Sequence, residues 1–91
     1  MTQDPCREQL SWLQRVFAER IHMEIDASDR PVELGMDSLS AVLVGREIWR
    51  HYDVPLRVSC EWLLTLTAEE IATQLASASA RRGHGSHDAN S

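Results

Sequence analysis

Lysine is absent from this 91-residue chain: all nine basic residues are arginine, set against 14 acids for a net charge of −5. Arg81 and Arg82 lie near the C-terminus, so the body ahead of them is more acidic than the whole. A surface of that sign repels phosphate backbones, which excludes nucleic-acid binding and suits a partner with a basic patch. Cysteine is nearly absent. Cys6 and Cys60 are too few and too widely spaced for a disulfide framework or a zinc site, and read as free thiols in a reducing compartment. No apolar run approaches the length of a membrane span, and the N-terminus lacks a signal-peptide core. A soluble, cytoplasmic protein without membrane or metal is therefore expected. A chain this short builds one modest core, not a core plus a deep substrate cavity.

What is present is helical periodicity. Asp4 as cap and Pro5 at the first helical position favour a helix start. Cys6, Leu10, Leu13, Val16, Phe17 and Ile21 then mark a buried stripe, with Trp12 off to its flank. Residues 24–37 form a long connection holding five acids, with Arg30 as its one base. So long an irregular stretch needs pinning by its own side chains, and Ile25, Val32 and Leu34 are the natural pins around Pro31. Its acids read either as a solvated loop or as a negative approach surface beside Ser38.

A second helix is expected over 38–52, ended by Asp53-Val54-Pro55. It carries more apolar residues than one buried face needs. Ala41, Val44, Gly45, Ile48 and Tyr52 read as core, while Leu39, Val42, Leu43, Arg46 and Trp49 fall on another face at the same spacing. That second stripe is a candidate docking surface, edged by Arg46, Glu47 and Arg50; the plain alternative is that Leu43 or Trp49 covers a neighbouring helix. Val58, Trp62, Leu63 and Leu64 suggest a short third helix, with Ser59 as its cap. Thr67 and Glu70 form a capping-box pattern ahead of Ile71, Ala72, Leu75 and Ala76 in a last helix. The expected fold is all-α, a four-helix bundle of three longer helices and one short one with a long loop between the first two, spanning residues 1–80. Residues 81–91 read as a disordered polar tail.

Ser38 draws the functional question. Gly35 turns the chain, Asp37 caps the second helix, and Ser38 falls in its first turn, exposed beside N–H groups that favour an attached phosphate. Nucleophilic catalysis would require a nearby base. His51 ends the same helix, roughly 20 Å away at about 1.5 Å per residue. His22 ends the first helix, and His84 and His87 lie in the tail. A self-contained triad is excluded on those placements, leaving a plain helix-start serine or a serine modified by another enzyme.

Leu34-Gly35-Met36-Asp37-Ser38-Leu39, followed by Ala41-Val42, is similar to the prosthetic-group attachment motif of acyl carrier proteins. Within that group it most resembles polyketide-synthase carriers, whose motif commonly reads leucine-glycine-(leucine or methionine)-aspartate-serine-leucine. Asp29, Pro31 and Val32 match the family's lead-in, and the similarity runs from about Ile25 through the second helix and more loosely to Leu75. The resemblance implies an acyl-carrier-like bundle in which Ser38 receives 4′-phosphopantetheine from coenzyme A through a phosphopantetheinyl transferase. Asp37 matches the aspartate that helps the transferase arrange magnesium and substrate. The arm's thiol then carries acyl or polyketide intermediates as thioesters to ketosynthase, acyltransferase and tailoring partners, and the carrier itself is not an enzyme. Leu39, Val42, Leu43, Arg46 and Trp49 match partner-facing positions, and the isolated domain is expected to be a monomer.

Three features depart from that family's pattern. Leu43 stands where such carriers often have glutamate, the second helix carries Arg46 and Arg50 instead of a run of acids, and residues 58–64 lack the usual aromatic-aspartate-x-proline-threonine sequence. Two other readings compete. A peptidyl carrier of a nonribosomal peptide synthetase more often has a second glycine where Met36 stands. An unmodified helical interaction module would use Ser38 only at the helix start and bind one permanent partner through the second helix.

Overall fold

The computed structural model describes residues 7–90, with side chains described as far as Ser79. Asp4, Pro5 and Cys6, expected to open the first helix, lie outside the described residues. Four helices follow in order: α1 (Arg7–Ile21), α2 (Ser38–Tyr52), α3 (Leu56–Thr65) and α4 (Ala68–Asn90), and no strand occurs among the described residues. The fold is an all-helical bundle of the acyl-carrier kind. Among the described residues, no helix is long and apolar enough to cross a membrane.

The stripe read from α1 becomes its buried face: Leu13, Val16 and Phe17 are buried, with Leu10 and Ile21 half-buried beside them. Trp12 lies on the flank, edge-on to His51 and Tyr52 at ring-centroid distances of 5.0 and 5.1 Å, and clamps the end of α2 to α1. The chain leaves α1 through His22 at a φ of 54°, a left-handed conformation that stops the helix. Helix α4 begins on the expected capping box: Thr67 N–H donates to Glu70 Oε1 at 2.9 Å and Glu70 N–H to Thr67 Oγ1 at 3.2 Å. Ile71, Ala72 and Leu75 are buried along it, Ala76 half-buried. Its backbone stays helical to Asn90, through residues 81–90 of the segment whose composition suggests a tail. Propagating a helix already nucleated adds a hydrogen bond for each residue fixed, and no proline interrupts this stretch.

The long connection is held differently from the expectation. Ile25 is buried, but Val32 and Leu34 are both 40% exposed, so neither pins the loop. Their place is taken by Pro31 and Met36, both buried, and by backbone bonds. Gln14 Nε2 donates to Ile25 O at 2.9 Å, while Ala68 and Glu69 donate their N–H groups to Asp29 O and Ala27 O, each at 2.9 Å. The loop thereby satisfies two of the orphan donors that open α4. A single 3-10 turn, Pro31–Leu34, gives the segment regular structure that periodicity does not reveal, because four residues carry no period.

Helix α3 spans ten residues and starts from Pro55, with no side-chain cap. Ser59, expected as that cap, lies inside the helix and is fully buried. The α2–α3 contact is close because Gly45 faces α3. A Cβ there would sit 3.0 Å from Leu56 Cδ1 and 3.3 Å from Cys60 Sγ. Gly45→Val therefore forces the two helices apart and lowers unfolding free energy by about 2 kcal/mol, read from a urea melt. An unchanged midpoint would mean the interface accommodates the extra volume.

Candidate functional site

The site is built by a four-residue change of environment. Gly35 follows the 3-10 turn at a φ of 95°, which a side chain would resist, and its N–H closes back on Val32 O at 3.2 Å. Met36 then donates its N–H to Pro31 O at 3.3 Å and drops its side chain into the core, 5% exposed. Asp37 is extended, at φ −96° and ψ 179°, and its Oδ1 accepts from Ser40 N at 2.8 Å. Its carbonyl takes the first intrahelical bond, from Ala41 N at 3.0 Å. Ser38 is the first residue of α2 and is exposed.

The capping bond has an electrostatic consequence. Hydrogen bonding from Ser40, backbone first and then side chain, holds the Asp37 carboxyl below its ordinary value. The carboxylate is thus stabilised where the helix exposes its positive end. A phosphodiester formed on the neighbouring hydroxyl meets that same end, with the N–H groups of Ser38 and Leu39 not engaged by the helix ladder. The exposed hydroxyl and the polar, solvent-facing cap fit a phosphate-linked arm, since neither the link nor the arm has to displace core.

No base approaches the hydroxyl from this helix. His51 is at the far end of α2 against Trp12, and His22 ends α1. Cys60 is half-buried, its Sγ 3.8 Å from Ala41 O, and burial pushes its thiol up, which keeps it protonated and a poor nucleophile.

Along α2 the two stripes separate as expected. Ala41, Val44, Gly45 and Ile48 are buried. Leu39, Val42, Leu43 and Trp49 are 68, 37, 39 and 51% exposed, with Arg46 exposed among them. Tyr52, read as core, is half-buried under Trp12. Glu47, read as an edge of the docking stripe, is turned inward instead, pairing with Arg20 of α1 at 3.1 Å. The sequence reading missed three further exposed apolar residues. Val32 and Leu34 belong to the turn before Gly35, and Leu64 to α3, which packs against that turn. For Leu64 the available signal is its place beside the buried Leu63 on α3, whereas the turn carries no period that would show Val32 and Leu34 as exposed.

The Asp37 cap makes a checkable prediction. A carboxylate whose folded value is depressed contributes stability above its unfolded value and loses it as pH falls through the folded one. Wild-type thermal stability therefore drops below about pH 4 by an increment that Asp37→Asn lacks, because an asparagine cap does not titrate. Parallel melts from pH 6 to the acid limit check this; identical acid slopes would contradict it.

Residues 11–75 match the profile of the family described as phosphopantetheine attachment site. Searches of curated proteins and of solved structures gave no significant match. The matched span covers all of α2 and α3, most of α1 and the packed first part of α4, so the chain belongs to the phosphopantetheine attachment family: non-catalytic carriers to which a phosphopantetheinyl transferase covalently attaches 4′-phosphopantetheine.

Proposed function

We propose that Ser38 is the attachment residue and that the domain, residues 1–80, serves as an acyl carrier of a cytoplasmic polyketide synthase. The observation that carries the reading is the exposed first-turn hydroxyl of Ser38, set between a capping carboxylate and two buried neighbours, Met36 and Ala41. Loading there extends into solvent and leaves the core untouched. Asp37, the residue before Ser38, serves the transferase's magnesium and substrate while its bond from Ser40 N keeps the helix start in place. When bound, 4′-phosphopantetheine supplies a terminal thiol that carries acyl groups as thioesters. The chain's own residues orient the attachment point and present a docking face to ketosynthase, acyltransferase and tailoring partners.

Leu39, Val42, Leu43, Arg46 and Trp49 make that face. Its apolar residues are dispensable to the fold because they lie opposite the buried stripe, and a small interface of this kind permits exchange among partners. Met36 supports acyl over peptidyl cargo, since peptidyl carriers more often have a second glycine at that place. Here the methionine also has a structural duty in the core that glycine could not perform.

Incubation with coenzyme A, magnesium and a broad-specificity phosphopantetheinyl transferase should add one phosphopantetheine unit to the intact mass of the wild type and none to Ser38→Ala. A folded wild type that gains nothing would favour the unmodified interaction module. Trp49→Ala and Val42→Ala should leave the unfolding free energy within about 0.5 kcal/mol of wild type while slowing transfer by partners. Unfolding by either change would place those residues in the core.

A further inference from the structure

The end of the bundle opposite Ser38 carries a groove that the carrier reading does not use. It lies where α2, α3 and α4 converge, about 20 Å from Ser38 along the axis of α2. Tyr52 ends α2 on one side, Asp53 and Val54 form the turn after it, Val58 and Trp62 come from α3, and Ala78 from α4. Its volume is about 350 Å³, within the range of about 300–1,000 Å³ usual for ligand pockets. Tyr52 and Trp62 are both half-buried, so each leaves part of its ring to a guest. Three features make the groove negative. Asp53, one of its lining residues, is exposed, and its carboxylate forms no ion pair among the described residues. The C-terminal end of α2, whose last carbonyls carry the negative end of the helix dipole, opens onto the same place. The Tyr52 phenol is held above its ordinary value, first by burial and then by the charge of Glu8 on α1. Among the described residues no basic side chain lines the groove; Arg57 and His51 lie outside it.

Aromatic rings beside an unpaired carboxylate are complementary to one ligand chemistry, an organic cation on an apolar stem. A guanidinium stacks on the face of such a ring and pairs with a carboxylate in planar, two-point fashion. Its methylene stem meanwhile covers aliphatic neighbours such as Val58. The net charge of −5 favours the approach of a basic partner as a whole. We propose that this groove docks a polypeptide partner through an arginine side chain flanked by apolar residues. Position gives the contact its use. A partner held there leaves Ser38 and the exposed face of α2 uncovered, so the carrier stays tethered while other enzymes serve its attachment point. The docking chemistry does not depend on what Ser38 carries.

The test is a titration of the isotope-labelled 91-residue chain, followed by two-dimensional NMR, with two end-blocked pentapeptides. One reads alanine-leucine-arginine-leucine-alanine, and the other has glutamine at its centre. Expected are shifts at the amides of residues 52–54 and at the Trp62 indole N–H, with none at Ser38 or Leu39. The arginine peptide should bind about five-fold more tightly than the glutamine peptide. Asp53→Asn should remove that preference; asparagine tolerates the left-handed φ of 59° that Asp53 adopts, so the turn survives. Raising salt from about 0.1 M to about 1 M should weaken the arginine peptide and leave the glutamine peptide unchanged. Loading of Ser38 by a phosphopantetheinyl transferase should run equally fast with and without saturating arginine peptide. Equal affinity for the two peptides, shifts confined to the exposed face of α2, or no shift with up to about 5 mM peptide would overturn the proposal. Inhibition of loading by the peptide would overturn it as well. Binding seen only after Arg81→Gln and Arg82→Gln are combined would assign the groove to the chain's own arginines, and likewise overturn it. A chain that binds the arginine peptide yet gains no phosphopantetheine would contradict the attachment reading and leave this proposal standing.

Discussion

Burial of Met36 beside an exposed Asp37 and Ser38 is the constraint on which the rest of the arrangement depends. One side chain enters the core at 5% exposure, and the next two residues remain in water. That division fixes the direction in which α2 departs, because the chain between the anchor and the cap has no slack. Gly35 makes the preceding turn available at a left-handed φ, and Asp37 then holds the first turn through Ser40. Removing a methionine of this kind from a core costs a transfer term of about 2 kcal/mol before any cavity is counted. The hydroxyl that follows is consequently displayed by the core rather than by a flexible loop.

The long connection contributes to the same end from the other side. Its carbonyls at Ala27 and Asp29 accept the N–H groups that open α4, and its Ile25 carbonyl accepts from Gln14 on α1. Irregular backbone is thereby tied to two helices at once. This explains how a stretch of that length stays ordered while its acids remain mostly in solvent. Attachment at the proposed site would need that order, because the helix start and its cap are then held in one fixed relation.

Much of this was legible in the residues. Helix limits at Ser38 and Tyr52, the capping box at Thr67 and Glu70, and the two faces of α2 follow from periodicity and from turn chemistry, which are local properties. Three features were not legible, each because a tertiary partner decides it. Val32 and Leu34 look like anchors by composition, yet the 3-10 turn directs burial to Pro31 and Met36. Ser59 looks like a cap, but Pro55 sets the helix start and carries the serine into the α2–α3 interface, where its Oγ finds no hydrogen-bond partner among the described residues. Glu47 looks like a surface charge on the helix wheel, and only the arrival of Arg20 from α1 turns it inward. The family relation rests on a short motif supported by the order of the helices around it, and the sequence contained both.

The claim that one displayed hydroxyl defines this carrier is tested most directly by localising the modification in loaded protein. Proteolysis followed by fragment-ion mass spectrometry should place the whole phosphopantetheine mass on Ser38, with Ser28, Ser40 and Ser59 unmodified in the same sample. Finding it on Ser40 or Ser28 instead would show that exposure and position at the start of α2 do not select the attachment residue.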